Sequence, residues 1–174
     1  MARTIYISGP EMEHILAALM PANRLVVELC IATGLRVSDA LEIKTVKLKR
    51  RMTIKEMKTG KTRRVVIPAR IYSEMVLNAG RLWVFEGRTD WRKHRTRQTV
   101  YKDIKKVSAM FQRSKSVRSG CIGTHTARKM AAVDAYQRGG LDAAKKLLNH
   151  SDPAITLIYA LADQQGGKKR RAKK

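Results

Sequence analysis

The chain has 174 residues with 37 Lys and Arg against 14 Asp and Glu, so its formal net charge is +23. Hydrophobic residues make up 44%, which is too many for a disordered basic peptide and enough for one domain with a real core. The sequence has no apolar run long enough to cross a bilayer and no secretory signal, so no membrane association is expected. The cysteines, Cys30 and Cys121, are too few for a disulfide scaffold or a zinc knuckle and suit a reducing, cytoplasmic setting. The charge indicates a polyanionic partner, and nucleic acid is the leading candidate.

Two segments concentrate the positive charge. The last nine residues, 166–174, read GGKKRRAKK and predict a flexible basic tail that contacts phosphates, although a solvated tail without a dedicated role remains open. The second segment runs from Arg88 to Lys106, and a solvated surface is again the alternative. The residues predicted to contact DNA in the tail and in this segment are Lys168, Lys169, Arg170, Arg171, Arg92, Lys93, Arg95 and Arg97.

Capping signals predict three helices near the N-terminus. Ser8 and Glu11 have the spacing of a capping box and start the first helix. A second helix follows Pro21 and is stopped by Gly34. A short third helix is predicted from Ser38 to Ile43, with Ser38 as its cap.

A β-hairpin is predicted next. Its strands cover Val46 to Met57 and Thr62 to Ile67, and Lys58-Thr59-Gly60-Lys61 forms a turn that contains glycine. Pro68 ends this small sheet.

Further helices are predicted in the second half of the chain. Val100, Ile104, Val107 and Phe111 have helical spacing, and the later helices are expected up to Ala135, from Leu141 to Leu148 and from Pro153 to Leu161. The predicted fold is therefore mainly α with a small antiparallel β-sheet (α+β), in one domain over residues 1–165.

Several common catalytic motifs are absent from the sequence. It contains no GxxxxGK[ST] or GxGxxG loop, no HExxH and no dense carboxylate cluster that would hold magnesium. We therefore expect neither a cofactor nor a metal. Arg, Lys, His and Tyr side chains remain, and these can support phosphoryl transfer by holding the phosphate, supplying a nucleophile and protonating the leaving oxygen.

Five segments carry such side chains in a recognisable order: TGLRVSDAL at 33–41, KTGK at 58–61, HTAR at 125–128, LNHS at 148–151 and ITLIY at 155–159. This order resembles the catalytic domain of the tyrosine recombinases, the phage integrase family. That family has an arginine in a TGLRxSE turn, a hairpin lysine, HxxR, a His or Trp after LG, and a tyrosine nine residues later. The separation from His150 to Tyr159 is likewise nine residues.

The resemblance implies which residues hold the scissile phosphate. Arg36 and Arg128 would clamp it, because a guanidinium has paired donors that match phosphate geometry. His150 would donate to a non-bridging oxygen. Asp39, at the family's acidic position, would orient Arg36 without touching the phosphate.

The resemblance also implies the chemical step. Tyr159 would attack phosphorus and form a 3′-phosphotyrosine link, while Lys58 protonates the departing 5′ oxygen. His125 would help remove the proton from Tyr159. Lys61 competes with Lys58 for the acid role and is otherwise predicted to bind DNA.

Each of these residues also has an ordinary structural interpretation. Taken singly, Tyr159 could be a packed helix residue, Arg36 could cap a helix C-terminus, and His125 and His150 could cap the helices that follow them. The common order of all the segments favours the catalytic interpretation. Four further side chains match nothing in the pattern and are predicted to be structural or on the surface: His14, His94, Tyr101 and Tyr136.

Two departures from the family pattern stand out: Ala127-Arg128-Lys129 replaces LRH, and Asn149 replaces a glycine. The pattern also begins almost at Met1, so we expect the family's N-terminal core-binding domain to be absent, in a fragment or in a short natural form.

The predicted function is that of a site-specific recombinase or integrase of a phage or mobile element. It would act on double-stranded DNA in the cytoplasm, near the nucleoid, as an oligomer, and a partner protein could stand in for the absent domain. A DNA-binding regulator derived from a recombinase and a type IB topoisomerase-like relaxing activity are the alternatives.

Overall fold

The computed structural model describes residues 4–149. The predicted helix from Pro153 to Leu161, the basic tail, His150 and Tyr159 lie outside this range. The helices are α1 (Gly9–Ala18), α2 (Pro21–Thr33), α3 (Val37–Leu41), α4 (Ala69–Leu77), α5 (Arg97–Arg113) and α6 (Thr124–Leu148). A 3₁₀ turn covers Thr45–Lys47, and the strands are β1 (Arg51–Lys55) and β2 (Thr62–Val66). The predicted fold class, mainly α with a small antiparallel sheet, is confirmed.

Helix α2 forms the centre of the domain. Its side chains are buried on several faces, including Leu25, Val26, Leu29 and Cys30. It packs against α3, α4 and α6, while α1 packs against both α2 and α5. Burial raises the pKa of the Cys30 thiol to about 12, so this thiol is an inert part of the core.

The predicted start of α1 is confirmed. The Glu11 carboxylate accepts hydrogen bonds from the backbone N–H and the hydroxyl of Ser8, at 2.8 and 2.7 Å. Glu11 also pairs with Arg118, at 2.9 Å, and so ties the start of α1 to the loop after α5. Burial raises the pKa of Glu11, but these hydrogen bonds outweigh it and bring the pKa to about 2.

The hairpin is confirmed, with a shorter first strand than predicted. Its strands pair from Arg51 with Val66 to Lys55 with Thr62. The strand expected from Val46 begins only at Arg51, because the chain before it is held in another conformation. Thr45 bonds to the loop after α4, through its backbone N–H to Leu82 O at 3.0 Å and through its hydroxyl to the Gly80 carbonyl at 2.7 Å.

Three further local predictions were wrong or incomplete. Ser38 does not cap α3, since it lies inside the helix and Arg36 occupies the cap position. Helix α4, which begins after Pro68, was not predicted. The helix expected to end at Ala135 continues to a kink at Gly139 and Gly140, beyond which α6 resumes. Among the helices of residues 4–149, none is long and apolar enough to cross a membrane.

Candidate active site

Arg36 lies in the short connection between α2 and α3. Gly34 ends α2 in a left-handed conformation, with φ of +66°, which turns the chain sharply. Leu35 and Val37 are both buried and fix the backbone on either side of Arg36. The Arg36 side chain is 15% exposed and extends toward the hairpin.

Arg36 meets two carboxylates there. Its Nη1 donates to Glu56 Oε2 at 2.6 Å and lies 3.7 Å from Asp39 Oδ2. Glu56 is 0% exposed. Burial raises the pKa of Glu56, but the hydrogen bonds from Arg36 and Thr59 and the nearby positive charges outweigh it, so the pKa lies below its usual value. Glu56 is therefore an ionised partner of Arg36.

Asp39, predicted to orient Arg36, makes its hydrogen bond elsewhere. Its Oδ1 accepts from the backbone N–H of Met57 at 3.0 Å. This bond joins α3 to the hairpin turn immediately before Lys58. Lys58 and Lys61 are both exposed in that turn.

Helix α6 supplies His125 and Arg128 from its first turn. Thr126 supports this start, because its Oγ1 accepts from the backbone N–H of Gly123 at 3.2 Å. Arg128 is 4% exposed, and its guanidinium donates to the carbonyls of Gly34 and Leu148. It thus joins the end of α2 to the end of α6, beside the connection that carries Arg36.

Charged residues from several separate segments affect the pKa of His125. The pKa of His125 lies below its usual value, first because the ring is partly desolvated and then because positive charges surround it. Those charges belong to Arg97, Arg128, Arg36 and Lys58. Four of the predicted catalytic residues, Arg36, Lys58, His125 and Arg128, therefore share one electrostatic neighbourhood.

A groove of about 680 Å³ opens beside His125. Arg97, Tyr101 and Lys105 line it from one side of α5, and Cys121 faces them. Lys105 Nζ lies 3.6 Å from Cys121 Sγ. Arg97, predicted to bind DNA, is thus beside the candidate site, and Tyr101, predicted to be structural or on the surface, lines the same groove.

Three further residues predicted to bind DNA lie in the loop before α5. Arg92 lies over the Trp91 ring, at 5.5 Å from its centroid, and Lys93 pairs with Asp90 at 3.6 Å. Arg95 is half-buried, and burial lowers its pKa. None of these three residues is among the charges that contribute most to the lowered pKa of His125.

The sequence analysis missed two buried residues beneath the site, Glu56 and Arg63. Arg63 donates to the carbonyls of Thr33 and Leu147 and lies 3.9 Å from Glu56 Oε1. Glu56 carried a usable signal, because it is the only acidic residue between Glu42 and Glu74. Within residues 4–149, no cluster of three or more His, Cys, Asp or Glu side chains could hold a metal ion.

A comparison with known protein families identifies the family of this chain. The phage integrase family profile matches residues 6–165. The chain belongs to the phage integrase family. It is also 30% identical over 148 residues to the probable integrase/recombinase YoeC of Bacillus subtilis (strain 168), covering 77% of this chain and 74% of that protein.

Solved structures of integrases share the fold. A lambda integrase dimer bound to a COC′ core site superposes with a TM-score of 0.75 at 18% identity, over 92% of this chain and 60% of that one. The catalytic domain of bacteriophage HP1 integrase gives 0.64 at 20% identity, over 92% and 89%. The XerH recombinase bound to its difH substrate gives 0.71 at 19% identity, over 97% and 53%. The chain thus spans about half to two thirds of the lambda and XerH chains and most of the HP1 domain.

Proposed function

We propose that this chain is the DNA-cleaving and rejoining domain of a site-specific recombinase, working through a covalent 3′-phosphotyrosine link. The observation that carries the proposal is that hydrogen bonds hold Arg36 close to both of the other cationic segments: Glu56 joins it to the turn that carries Lys58, and Arg128 donates to the Gly34 carbonyl two residues before it. The charges of all three residues also lower the pKa of His125. Cations gathered in this way suit a phosphate whose charge grows in the transition state.

The proposed roles follow from the chemistry of each group. Arg36 and Arg128 hold the non-bridging oxygens, together with His150. Tyr159 attacks phosphorus, and the bond to the 5′ oxygen breaks as Lys58 protonates that oxygen. His125, whose lowered pKa favours the neutral imidazole, accepts the tyrosine proton. The link conserves the phosphodiester energy for rejoining, so no ATP is required. Arg and Lys neutralise the charge of the phosphate, so no metal is required.

The proposed substrate is double-stranded DNA bound by an oligomer of the chain. The relatives support this: lambda integrase is solved as a dimer on a core site and as a tetramer on a Holliday junction. Those chains are longer, so an additional N-terminal domain or a partner protein is proposed to complete the clamp on DNA.

Two other functions remain distinguishable by experiment. A DNA-binding regulator would bind DNA without forming a covalent link. A type IB topoisomerase-like enzyme would form the link but relax supercoils without exchanging strands between sites. The presence of the complete catalytic pattern favours an enzyme over a regulator.

The first prediction concerns Tyr159. With a nicked DNA whose cleaved end diffuses away, the wild-type chain should form an adduct that survives denaturant and EDTA. Tyr159→Phe should form none, because phenylalanine has no oxygen to attack phosphorus, and should bind DNA as well as the wild type. Gel electrophoresis of labelled DNA measures both. An adduct that persists in Tyr159→Phe, or that requires a metal, would contradict the proposal.

A second arm of the experiment tests the cations. Arg36→Ala and Arg128→Ala should each lose about 3 kcal/mol of transition-state stabilisation, the scale of one preorganised donor. Lys58→Ala should slow cleavage of an oxygen-linked 5′ leaving group far more than that of a sulfur-linked one, which leaves without protonation. Lys61→Ala is the matched control, and a selective defect there would transfer the acid role to Lys61.

A further inference from the structure

Glu56 stands out among the buried side chains beside the candidate site. It follows β1 directly and is 0% exposed. Its Oε2 accepts two hydrogen bonds, from Arg36 Nη1 at 2.6 Å and from Thr59 Oγ1 at 2.7 Å. One carboxylate oxygen therefore joins the Arg36 guanidinium to the hairpin turn that carries Lys58.

The backbone of Glu56 also closes that turn. Its N–H donates to the Lys61 carbonyl, and its carbonyl accepts from the N–H of Gly60, both at 2.9 Å. Lys58 lies within this closed loop, two residues after Glu56. Any shift of the Glu56 side chain is therefore transmitted to both proposed catalytic groups.

Asp39, the other carboxylate near Arg36, does not hold the Arg36 guanidinium by a hydrogen bond. Asp39 lies 3.7 Å from Arg36, beyond hydrogen-bond distance, and its own hydrogen bond is with the backbone of Met57. Arg63 and Arg128 direct their guanidinium groups to backbone carbonyls. Glu56 is thus the described carboxylate that fixes the direction of Arg36.

We propose that Glu56 is a positioning residue for DNA strand cleavage: it holds Arg36 and the Lys58 turn at a fixed separation, so that one phosphate meets both. This inference rests on the proposed function. Burying a carboxylate is costly unless it is paired, and here the pairing holds Arg36, proposed to bind a non-bridging oxygen, beside the turn that carries Lys58, the proposed acid. Glu56 itself touches neither DNA nor the reacting atoms.

The main test compares Glu56→Gln with the wild type. Glutamine keeps the length of the side chain but loses the charge, so adduct formation should slow about ten- to a hundredfold, as for other supporting partners of reactive groups. DNA affinity should change little. In an Arg36→Ala background the same substitution should add almost nothing, because its effect passes through Arg36. A wild-type rate in Glu56→Gln, or a full additional loss beside Arg36→Ala, would overturn the proposal.

Thr59→Val tests the bond between Glu56 and the turn separately from the bond between Glu56 and Arg36, and it introduces no charge. It removes the hydroxyl bond to Glu56 and the longer bond that the hydroxyl accepts from the Lys61 N–H at 3.4 Å, both within the turn, and should disturb the Lys58 turn more than Arg36. Cleavage of the oxygen-linked substrate should therefore slow, while that of the sulfur-linked substrate should not. Equal slowing of both, or of neither, would refute the link between Glu56 and the turn.

Two controls distinguish positioning from a loss of stability and from failure of the proposed function. Glu28, which accepts from Arg24 at 3.1 Å and from Arg70 at 3.0 Å away from the site, is the matched carboxylate, and Glu28→Gln should leave cleavage unchanged. Nitrogen-15 NMR of the Arg36 guanidinium needs no catalysis, and its restricted rotation should be lost in Glu56→Gln. Restricted rotation in a wild type that forms no adduct would refute the proposed function alone, while free rotation in the wild type would refute the positioning role.

Discussion

At the scale of single residues, His125 shows how the fold sets a protonation state. An imidazole surrounded by cations and partly removed from water is harder to protonate, and the charge of Arg97 contributes most among its neighbours. A depressed pKa keeps the ring neutral below the pH at which a free histidine gains its proton. The neutral ring is the form that a proton acceptor requires.

The pH dependence of cleavage follows from this shift. As the pH falls through the usual histidine range, about 6.5, the rate of adduct formation should persist, and it should fall only below the lowered pKa. Arg97→Gln removes a repelling charge, so the pKa should rise and the acid limb of the pH–rate profile should move to higher pH. Single-turnover rates at saturating protein measure this.

Arg92→Gln provides the control for that experiment. Arg92 is also exposed but is not among the charges that contribute most to the lowered pKa of His125, so the acid limb of the Arg92→Gln profile should lie close to that of the wild type. Coincident acid limbs for Arg97→Gln and Arg92→Gln would show that Arg97 does not act on His125.

The sequence could predict the candidate catalytic residues but not the buried residues that pack beneath them. Arg36, His125 and Arg128 occur in motifs of fixed spacing, so their identity follows from the pattern. Glu56 and Arg63 are not in such motifs, and their partners lie on other elements, at Arg36, Thr33 and Leu147. Those pairings depend on how the hairpin docks on α2 and α6, which local spacing does not encode.

At the scale of elements, two glycines with the same backbone conformation have different surroundings. Gly34 and Gly60 both have φ of +66°. A Cβ at Gly34 would lie 3.1 Å from Leu147 Cγ, whereas a Cβ at Gly60 would meet no atom within 4 Å. Gly34 therefore permits both the turn after α2 and its close approach to α6.

Alanine substitutions should separate these two effects. Gly60→Ala should cost about 1 kcal/mol of unfolding free energy, the strain of a left-handed alanine. Gly34→Ala should cost more unfolding free energy, because Leu147 must also move and because the Gly34 carbonyl, which accepts from Arg128, shifts. Urea unfolding followed by circular dichroism gives both values. Equal losses of unfolding free energy in the two variants would mean that Leu147 moves without a free-energy cost.

The elements were predicted well where the signals are local and poorly where tertiary contacts decide. Ser8, Gly34 and the KTGK turn are local signals, and the elements that they delimit are present. The strand expected from Val46 is replaced by a 3₁₀ turn because Thr45 bonds to a distant loop. Gly139 and Gly140 have non-helical backbone angles, so the predicted break before the helix from Leu141 to Leu148 is present, although the helix expected to end at Ala135 continues to Arg138.

At the scale of the whole molecule, the charge predicts how DNA binding depends on salt. The tail contributes six cations, and the rest of the chain still has 31 basic residues against 14 acidic ones. Affinity for DNA should fall by orders of magnitude between about 50 and 200 mM salt if six or more phosphates are contacted.

Deleting residues 166–174 should lower the slope of log affinity against log salt by up to about five, since each phosphate that the tail neutralises adds nearly one unit to that slope. Fluorescence anisotropy with labelled DNA measures the slope. A chain of the same length with six glutamines in the tail separates charge from length and should behave like the deletion. An unchanged slope would mean that the tail does not bind DNA.

The end of α6 limits how far the proposed nucleophile, Tyr159, can lie from the candidate site. Arg63 donates to the carbonyl of Leu147 and Arg128 to that of Leu148, and Asn149 ends the helix in a left-handed conformation with φ of +54°. Tyr159 follows ten residues later, and ten residues span at most about 36 Å. Any neighbouring subunit that received Tyr159 would have to bring its own arginine pair inside that radius, which restricts the arrangements of subunits on DNA that permit exchange of the tyrosine.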